Sequence, residues 1–311
     1  MLLAGFAWGG LVLGLLFGSF LNVCIVRVPR GESVVRPGSR CMACGAPVRW
    51  YDNIPLLSWL ILRGRCRDCG VGIGWRYCAV ELAVGLWGMV VFARFPKDGI
   101  GFFGSFPATF FDPQQLIGLI SMSILGWLLI GLIAIDWEWQ RLPDALTLGG
   151  IAAGMFLVCC QAIFLGPTDD QVVLNASHQL RLSSPGSFVS RGNVFLTGPE
   201  ALIFGRLAAV CGAALLLLAI RWAYKALRGR DGLGLGDVKM LAMIAAFLGF
   251  WPAVLTLFGG AFLASVYGVG WMLRGRAGAL TKLPLGSFLG VAGLGVALFG
   301  DGVIRWYAGL L

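Results

Sequence analysis

Charged residues are scarce in this sequence, at 13% of 311 where a soluble globule carries roughly a quarter, while 58% of residues are hydrophobic. A water-soluble fold is excluded, and lipid becomes the solvent for most of the chain. Histidine is scarcer still: the one example, His178, lies in a polar stretch and reads as an ordinary loop residue rather than a ligand. No segment carries the glycine fingerprint of a soluble dinucleotide-type domain. The first apolar segment lacks the basic start and small-residue cleavage site of a secretory signal, so it reads as a retained helix.

Apolar sequence at bilayer-crossing length, about 20 residues, is plentiful. It recurs near 4–24, 78–94, 115–135, 145–165, 201–223, 238–252, 254–273 and 285–308. The fold class is therefore all-α, a polytopic membrane protein of about eight transmembrane helices.

Most basic residues fall in the loops 25–77, 136–144, 224–237 and 274–284, which share one face when the N-terminus lies on the other. The positive-inside rule makes that face cytoplasmic. The net charge of +9 is then an orientation signal; residues spread along membrane-flanking loops do not make a nucleic-acid surface. The loops 95–114 and 166–200 lie outside. The second is a polar insertion in which the Asn-Ala-Ser sequon at Asn175 is most simply chance. Three parts result: a first helix at 1–24, a polar domain at 25–77 and a membrane domain at 78–311.

The polar domain holds Cys41-Met-Ala-Cys44 and Cys66-Arg-Asp-Cys69, two CxxC pairs separated by 21 residues. Each pair grips a metal ion from a tight turn, and together they complete a tetrahedral thiolate site of the zinc-ribbon kind. Gly45 and Gly70 suit the left-handed turns of such knuckles. Two disulfides are the alternative, which a reducing cytoplasm disfavours. Four thiolates leave no open position, so a Zn2+ ion here is structural and folds a loop too small for its own core. Arg40, Arg63, Arg65 and Arg67 crowd the cysteines and would favour thiolates. Cys24, Cys78, Cys159, Cys160 and Cys211 lie in or near apolar runs and read as small buried hydrophobes.

Ionisable groups in spanning segments are functional candidates by default. Glu81, Asp136, Asp144 and Asp237 all fall at the cytoplasmic membrane face, whereas Asp112 and Asp301 fall at or near the opposite one. Asp136 and Asp237, each at the join of a loop and a span, can pair. Two like charges a few ångströms apart cannot both ionise cheaply, so a shared proton supplies an acid and a base together. Gly232, Gly234 and Gly236 leave the backbone before Asp237 uncrowded, room for a substrate strand. For Asp144 a helix-capping role stands equally with a functional one. Lys239 either snorkels toward headgroups or tunes the pair.

In these motifs the chain resembles the type IV prepilin peptidases, membrane aspartic proteases of the GxGD type, over nearly its whole length. Gly18-Ser-Phe-Leu-Asn-Val with Arg27-Val-Pro29 resembles the family's first helix. The CxxC pairs with Asp52-Asn-Ile-Pro55, Leu57-Ser-Trp59, Arg63-Gly64 and Arg76-Tyr77 through Glu81 resemble its cytoplasmic domain. Asp136 with Leu142-Pro-Asp144, Gly234-Leu-Gly-Asp237 with Lys239, and Leu283-Pro-Leu-Gly286 resemble its later motifs. Cys78, Leu285 and Ser287 depart from the family's usual proline, phenylalanine and proline.

The resemblance implies a bifunctional enzyme of the bacterial inner membrane. It would cut the basic leader from type IV prepilins and type II secretion pseudopilins at the cytoplasmic face, then N-methylate the new terminus with S-adenosylmethionine. Asp136 and Asp237 would carry the hydrolysis, with Asp144, Gly234, Gly236, Lys239 and Glu81 in support, and the cysteine loop would belong to the methyltransferase half. Glu81, Asn22 and Arg27 are candidates for the methyl-donor site. The alternatives are a peptidase without methyl transfer and a proton- or cation-coupled transporter with a zinc-stapled loop. Carboxylates gathered at one face, without a clear internal repeat, weigh against the transporter.

Overall fold

The computed structural model describes residues 2–94, 113–163, 172–174, 180–182, 199–229, 233–274 and 284–309. Gly232, Leu283, Asp112, Asn175, His178, the loop 95–112 and most of the 166–200 insertion lie outside the described residues, as does the side chain of Asp301. The order is α1 (Leu2–Arg27), α2 (Leu57–Ile61), α3 (Trp75–Arg94), α4 (Pro113–Trp139), α5 (Asp144–Ile163), β1 (Val172–Leu174), β2 (Leu180–Leu182), α6 (Pro199–Arg228), α7 (Leu235–Leu248), α8 (Phe250–Leu273) and α9 (Leu285–Ala308). The strands form one antiparallel pair with Val173 opposite Arg181. Among the described residues α1 and α3 to α9 thus make a bundle of eight helices, and six of them are long and apolar enough to cross a membrane. The protein is a multi-pass membrane protein.

Glycine sets how closely α1 and α3 approach. A methyl group on Gly10 would lie 2.4 Å from the Gly88 carbonyl oxygen, one on Gly14 2.4 Å from that of Val84, and one on Gly18 2.8 Å from the Glu81 Cα. Four-residue spacing puts these glycines on one face of α1, and the two backbones meet there as small-residue seams do in lipid. The seam fixes Asn22 and Glu81 at the end of the bundle carrying the cysteines. Helix α4 closes over this pair: Trp127 Nε1 donates to the Phe17 carbonyl at 3.0 Å, and Trp87 Nε1 to that of Met122 at 2.8 Å.

Helix α7 is the hub of the remaining helices. Its residues from Val238 through Phe247 are all buried but for Lys239, and α4, α5, α6, α8 and α9 surround it. At 14 residues it is about 21 Å long, shorter than the roughly 30 Å hydrocarbon layer. The run 238–252 is therefore a short helix sheathed by protein. Gly249, at φ +98°, turns the chain from α7 into α8. A glycine is needed there because L side chains rarely adopt that backbone angle.

The C-terminal ends of α1 and α4 and the N-terminal ends of α3, α5, α7 and α9 come together at one end. The Arg76–Glu138 ion pair joins α3 to α4, Lys239–Asp144 joins α7 to α5, and Ser287–Asp136 joins α9 to α4.

Candidate active site and candidate metal centre

Asp136 lies in the last turn of α4 and is 6% exposed. Its Oδ2 accepts two hydrogen bonds from one residue, the Ser287 backbone N–H at 2.7 Å and the Ser287 hydroxyl at 3.0 Å. Helix α9 starts at Leu285, so its first-turn N–H groups have no partner within the helix and are free to meet a carboxylate. Gly286 makes room for this contact. A methyl group there would lie 3.0 Å from both Asp136 Cγ and Oδ2.

Asp237, 9% exposed, sits in the first turn of α7. Its Oδ2 accepts the N–H of Gly234 at 3.2 Å, the reach-back half of a capping box, and Gly234 is the N-cap. Asp136 lies close enough for its charge to act on Asp237. Leu142, from the connection between α4 and α5, packs against the residues beside both: methyl groups placed on Gly236 and Gly286 would lie 3.0 Å and 3.1 Å from its side chain.

These neighbours change the reading of the glycines. The space at Gly236 is filled by this chain's own Leu142, so its lack of a side chain serves packing rather than clearance for a substrate. Gly234 starts the helix and holds the Asp237 carboxylate.

Lys239 does not reach headgroups alone. Its Nζ lies 2.5 Å from Asp144 Oδ1, which also gives Asp144 a partner at the start of α5. Both tether the motif around Asp237, with Asp144 exposed rather than inside the pair. Glu81 is bound to the polar domain. Its Oε2 accepts the Leu56 N–H at 2.8 Å, binding the loop after Asp52 to α3, and Leu56 is held at φ +59°.

The four cysteines of the polar domain converge, with ligand atoms all within 4.8 Å of one another. The two knuckles repeat one hydrogen-bond pattern. Cys41 N–H donates to the Ala46 carbonyl and Gly45 N–H to that of Cys41; Cys66 N–H donates to Val71 and Gly70 N–H to Cys66. Bridges Arg40 to Pro47 and Arg65 to Gly72 close the turns, and Gly45 and Gly70 take φ +73° and +71°.

Cys41 Sγ lies 3.8 Å from Cys69 Sγ, far beyond a disulfide bond of about 2.04 Å. That spacing suits two thiolates on one tetrahedral zinc, where bonds of about 2.3 Å set the sulfurs roughly 3.8 Å apart. Charge agrees with geometry. Backbone N–H groups of Cys44 and Ala43 hold the Cys41 thiol down to about 6. Cys69 goes the other way: the Val71 N–H lowers it, but burial and thiol hydrogen bonds with Cys44, Cys66 and Cys41 push it up to about 12. Four thiols this close need a cation before all can ionise, and the residues fit a zinc ion.

The expected role of Arg67 at the thiolates is not what it does. Its guanidinium makes a two-point contact with Asp52, at 2.8 Å and 2.6 Å, and holds that carboxyl below the usual range. Arg27 is spent on carbonyls of the same domain, those of Ser33, Pro37 and Gly38.

Sequence reasoning missed Ser287 and Gly286 as neighbours of Asp136, and Leu142 as the side chain packed on Gly236 and Gly286. The available signal was a serine in the first turn of an apolar segment just after Pro284, where a free N–H and hydroxyl can face a charge.

Residues 12–95 match the Bacterial Peptidase A24 N-terminal domain, and residues 185–269 the Type IV leader peptidase family. Asp237 lies within the second match, and Asp136 lies between the two. No solved structure matches. A protein called prepilin leader peptidase/N-methyltransferase in Aeromonas salmonicida is 29% identical, covering 94% of this chain and 90% of its own length. One of the same name in Pseudomonas aeruginosa is 30% identical over 96% and 91%, and one in Myxococcus xanthus 35% identical over 87% and 65%. With this likeness along the chain and two buried aspartates at one end of a helical bundle, the protein belongs to the type IV leader peptidase family.

Proposed function

We propose that this protein is a membrane aspartic endopeptidase and N-methyltransferase acting on type IV prepilins and related pseudopilins at the cytoplasmic face of a bacterial inner membrane. Family membership supports the reaction class, and one observation supports the residues: Asp136 and Asp237, buried, come from separate helices to one end of the bundle. Residues 1–24 and 78–311 form the membrane part, and 25–77 the domain tied to methyl transfer.

Asp136 and Asp237 share a proton. The ionised member takes a proton from water as the water oxygen bonds to the scissile carbonyl carbon, and the protonated member donates to the carbonyl oxygen. As the tetrahedral intermediate collapses, the C–N bond breaks, the departing amine takes a proton from the pair, and a hydroxyl of the intermediate gives one back to it. A prepilin, a basic leader followed by an apolar helix, lies in lipid with its cleavage site at the headgroup level. The dyad at the bundle end keeps water within reach, so none has to enter the hydrocarbon. Carboxylates gathered at one end do not form the path across a bilayer that a proton relay needs.

Cys41, Cys44, Cys66 and Cys69 would hold a structural zinc that folds the polar domain. S-adenosylmethionine would supply an electrophilic methyl group, which the freed N-terminal amine takes through its lone pair, losing one proton as the carbon–sulfur bond breaks.

The test is the mass of a prepilin incubated with the purified protein, with and without S-adenosylmethionine. A shortened product that gains one methyl group only with the donor is expected, and Asp136→Asn or Asp237→Asn should leave the prepilin whole. Normal cleavage by either variant would refute the dyad.

A further inference from the structure

We propose that a cavity of about 390 Å³, between the joined ends of α1 and α3 and the cysteine knuckles, binds the methyl donor as a sulfonium-bearing adenine nucleoside whose positive charge faces Glu81 and Asn22. The inference rests on the methyltransferase reading above. It adds the place and the residues.

The volume falls within the range of small-molecule sites, roughly 300–1,000 Å³. Its lining is mixed. Helix α1 contributes Asn22, which is 3% exposed; its Nδ2 donates to the Tyr77 carbonyl at 2.9 Å, while its Oδ1 is buried with no partner among the described residues. Buried acceptors are almost always satisfied, so one left open on a cavity wall marks a place for a ligand group. On α3 the Glu81 carboxylate borders the same space, one oxygen anchored by the Leu56 N–H. A carboxylate and an open carbonyl oxygen lining one cavity suit a cation whose methyl hydrogens are electron-poor acceptor seekers.

Apolar side chains complete the lining. Trp59 and Ile54 of the polar domain and Val26 of α1 contribute them, and Trp59 is fixed by its Nε1–H on the Ile73 carbonyl at 3.2 Å. A fixed indole beside aliphatic side chains is a surface for a planar base. Leu56, in the left-handed region at φ +59°, is held there by the bond to Glu81, and strain kept at a wall residue is typical of ligand sites. Cys41 and Cys66 belong to the wall too, so the zinc knuckles shape the cavity as well as fold the loop. Arg27 borders it, but its guanidinium is committed to backbone carbonyls and acts as a brace.

The test measures binding directly, by equilibrium dialysis of radiolabelled S-adenosylmethionine against the full-length protein in detergent. Glu81→Gln keeps an acceptor for Leu56 and removes only the charge. Val26→Trp fills the cavity from α1. Zinc content and melting temperature verify that each variant is folded. Wild type should bind one equivalent, Glu81→Gln at least about tenfold more weakly, and Val26→Trp not measurably. Wild-type affinity in both folded variants would overturn the site while leaving the methyltransferase reading intact. A wild-type protein that neither binds the donor nor methylates cleaved prepilin would overturn that reading and the site with it.

Discussion

Lys239 Nζ lies 2.5 Å from Asp144 Oδ1, and the pair clamps the first turn of α7, two residues beyond Asp237, to the first turn of α5. Both side chains are partly exposed, so the pair adds about 1 kcal/mol of stability or less. Its effect is on position. Lys239→Met and Asp144→Asn should each slow leader cleavage several-fold, and the double variant should be no slower than either single one. Asparagine retains the helix-capping ability of aspartate, so Asp144→Asn isolates the charge. Additive losses in a double-mutant cycle would show that the residues act separately.

Gly286 and Ser287 should be as sensitive as their contacts suggest. A methyl group at Gly286 would sit 3.0 Å from Asp136 Cγ, so Gly286→Ala must displace a carboxylate that two Ser287 donors hold in place. Cleavage should fall by two orders of magnitude or more, about the cost of misplacing a reacting group by an ångström. Ser287→Ala removes the hydroxyl and keeps the N–H, so about a tenfold loss in kcat is expected with KM little changed. Steady-state kinetics on a prepilin peptide would decide, and a pure KM effect would disprove this role.

The knuckles predict a specific response to metal removal. Cys41→Ser or Cys66→Ser breaks the set of four ligands, so zinc measured by mass spectrometry should fall from one equivalent toward none, with methylation lost. Helices α4 to α9 bury their own core around α7, so leader cleavage should survive better than methylation. Full zinc in both variants would rule out a site built of four thiolates.

Asp52 gives the polar domain an acid-sensitive link. Its carboxyl is held below the ordinary value chiefly by the hydrogen bonds from Arg67. A depressed folded-state value contributes stability that is whole above the unfolded value, about 3.9, and is lost as pH falls through the folded one. Asp52→Asn should therefore lower the melting temperature at pH 7, and the gap to wild type should shrink as acidification protonates the Asp52 carboxyl. A gap independent of pH would mean the pairing does not supply the difference.

Much of the site was legible because chemistry imposes it on single residues. Asp136 and Asp237 stood out as charges in apolar runs, and the cysteines as two CxxC pairs at a spacing that suits metal knuckles. The eight apolar runs gave the bundle for the same reason. What escaped depends on contacts between segments far apart in the chain. Ser287 meets Asp136 across 151 positions, and nothing local to either residue announces it. Leu142 looks like any leucine until α4, α7 and α9 converge on it. Arg67 sits beside Cys66 and Cys69, yet Asp52 takes its guanidinium, because a bidentate carboxylate partner outcompetes a thiol. Helix α7 read as a span because hydropathy reports apolar surroundings and does not separate lipid from protein.

The seam between α1 and α3 carries the last prediction. A methyl group at Gly14 would lie 2.4 Å from the Val84 carbonyl oxygen and 2.8 Å from the Gly85 Cα, both backbone atoms that no rotamer change can move. Gly14→Ala therefore has to push the helices apart, at a cost of about 1–3 kcal/mol for overpacking. Because Asn22 and Glu81 hold their places through that seam, the melting temperature and donor binding should fall together. Gly9 is the control: none of the described residues lies within 4 Å of a methyl group there, so Gly9→Ala should leave both unchanged. If the two substitutions behaved alike, helix propensity rather than close approach would explain glycine in α1, and the seam would not be what positions the polar end.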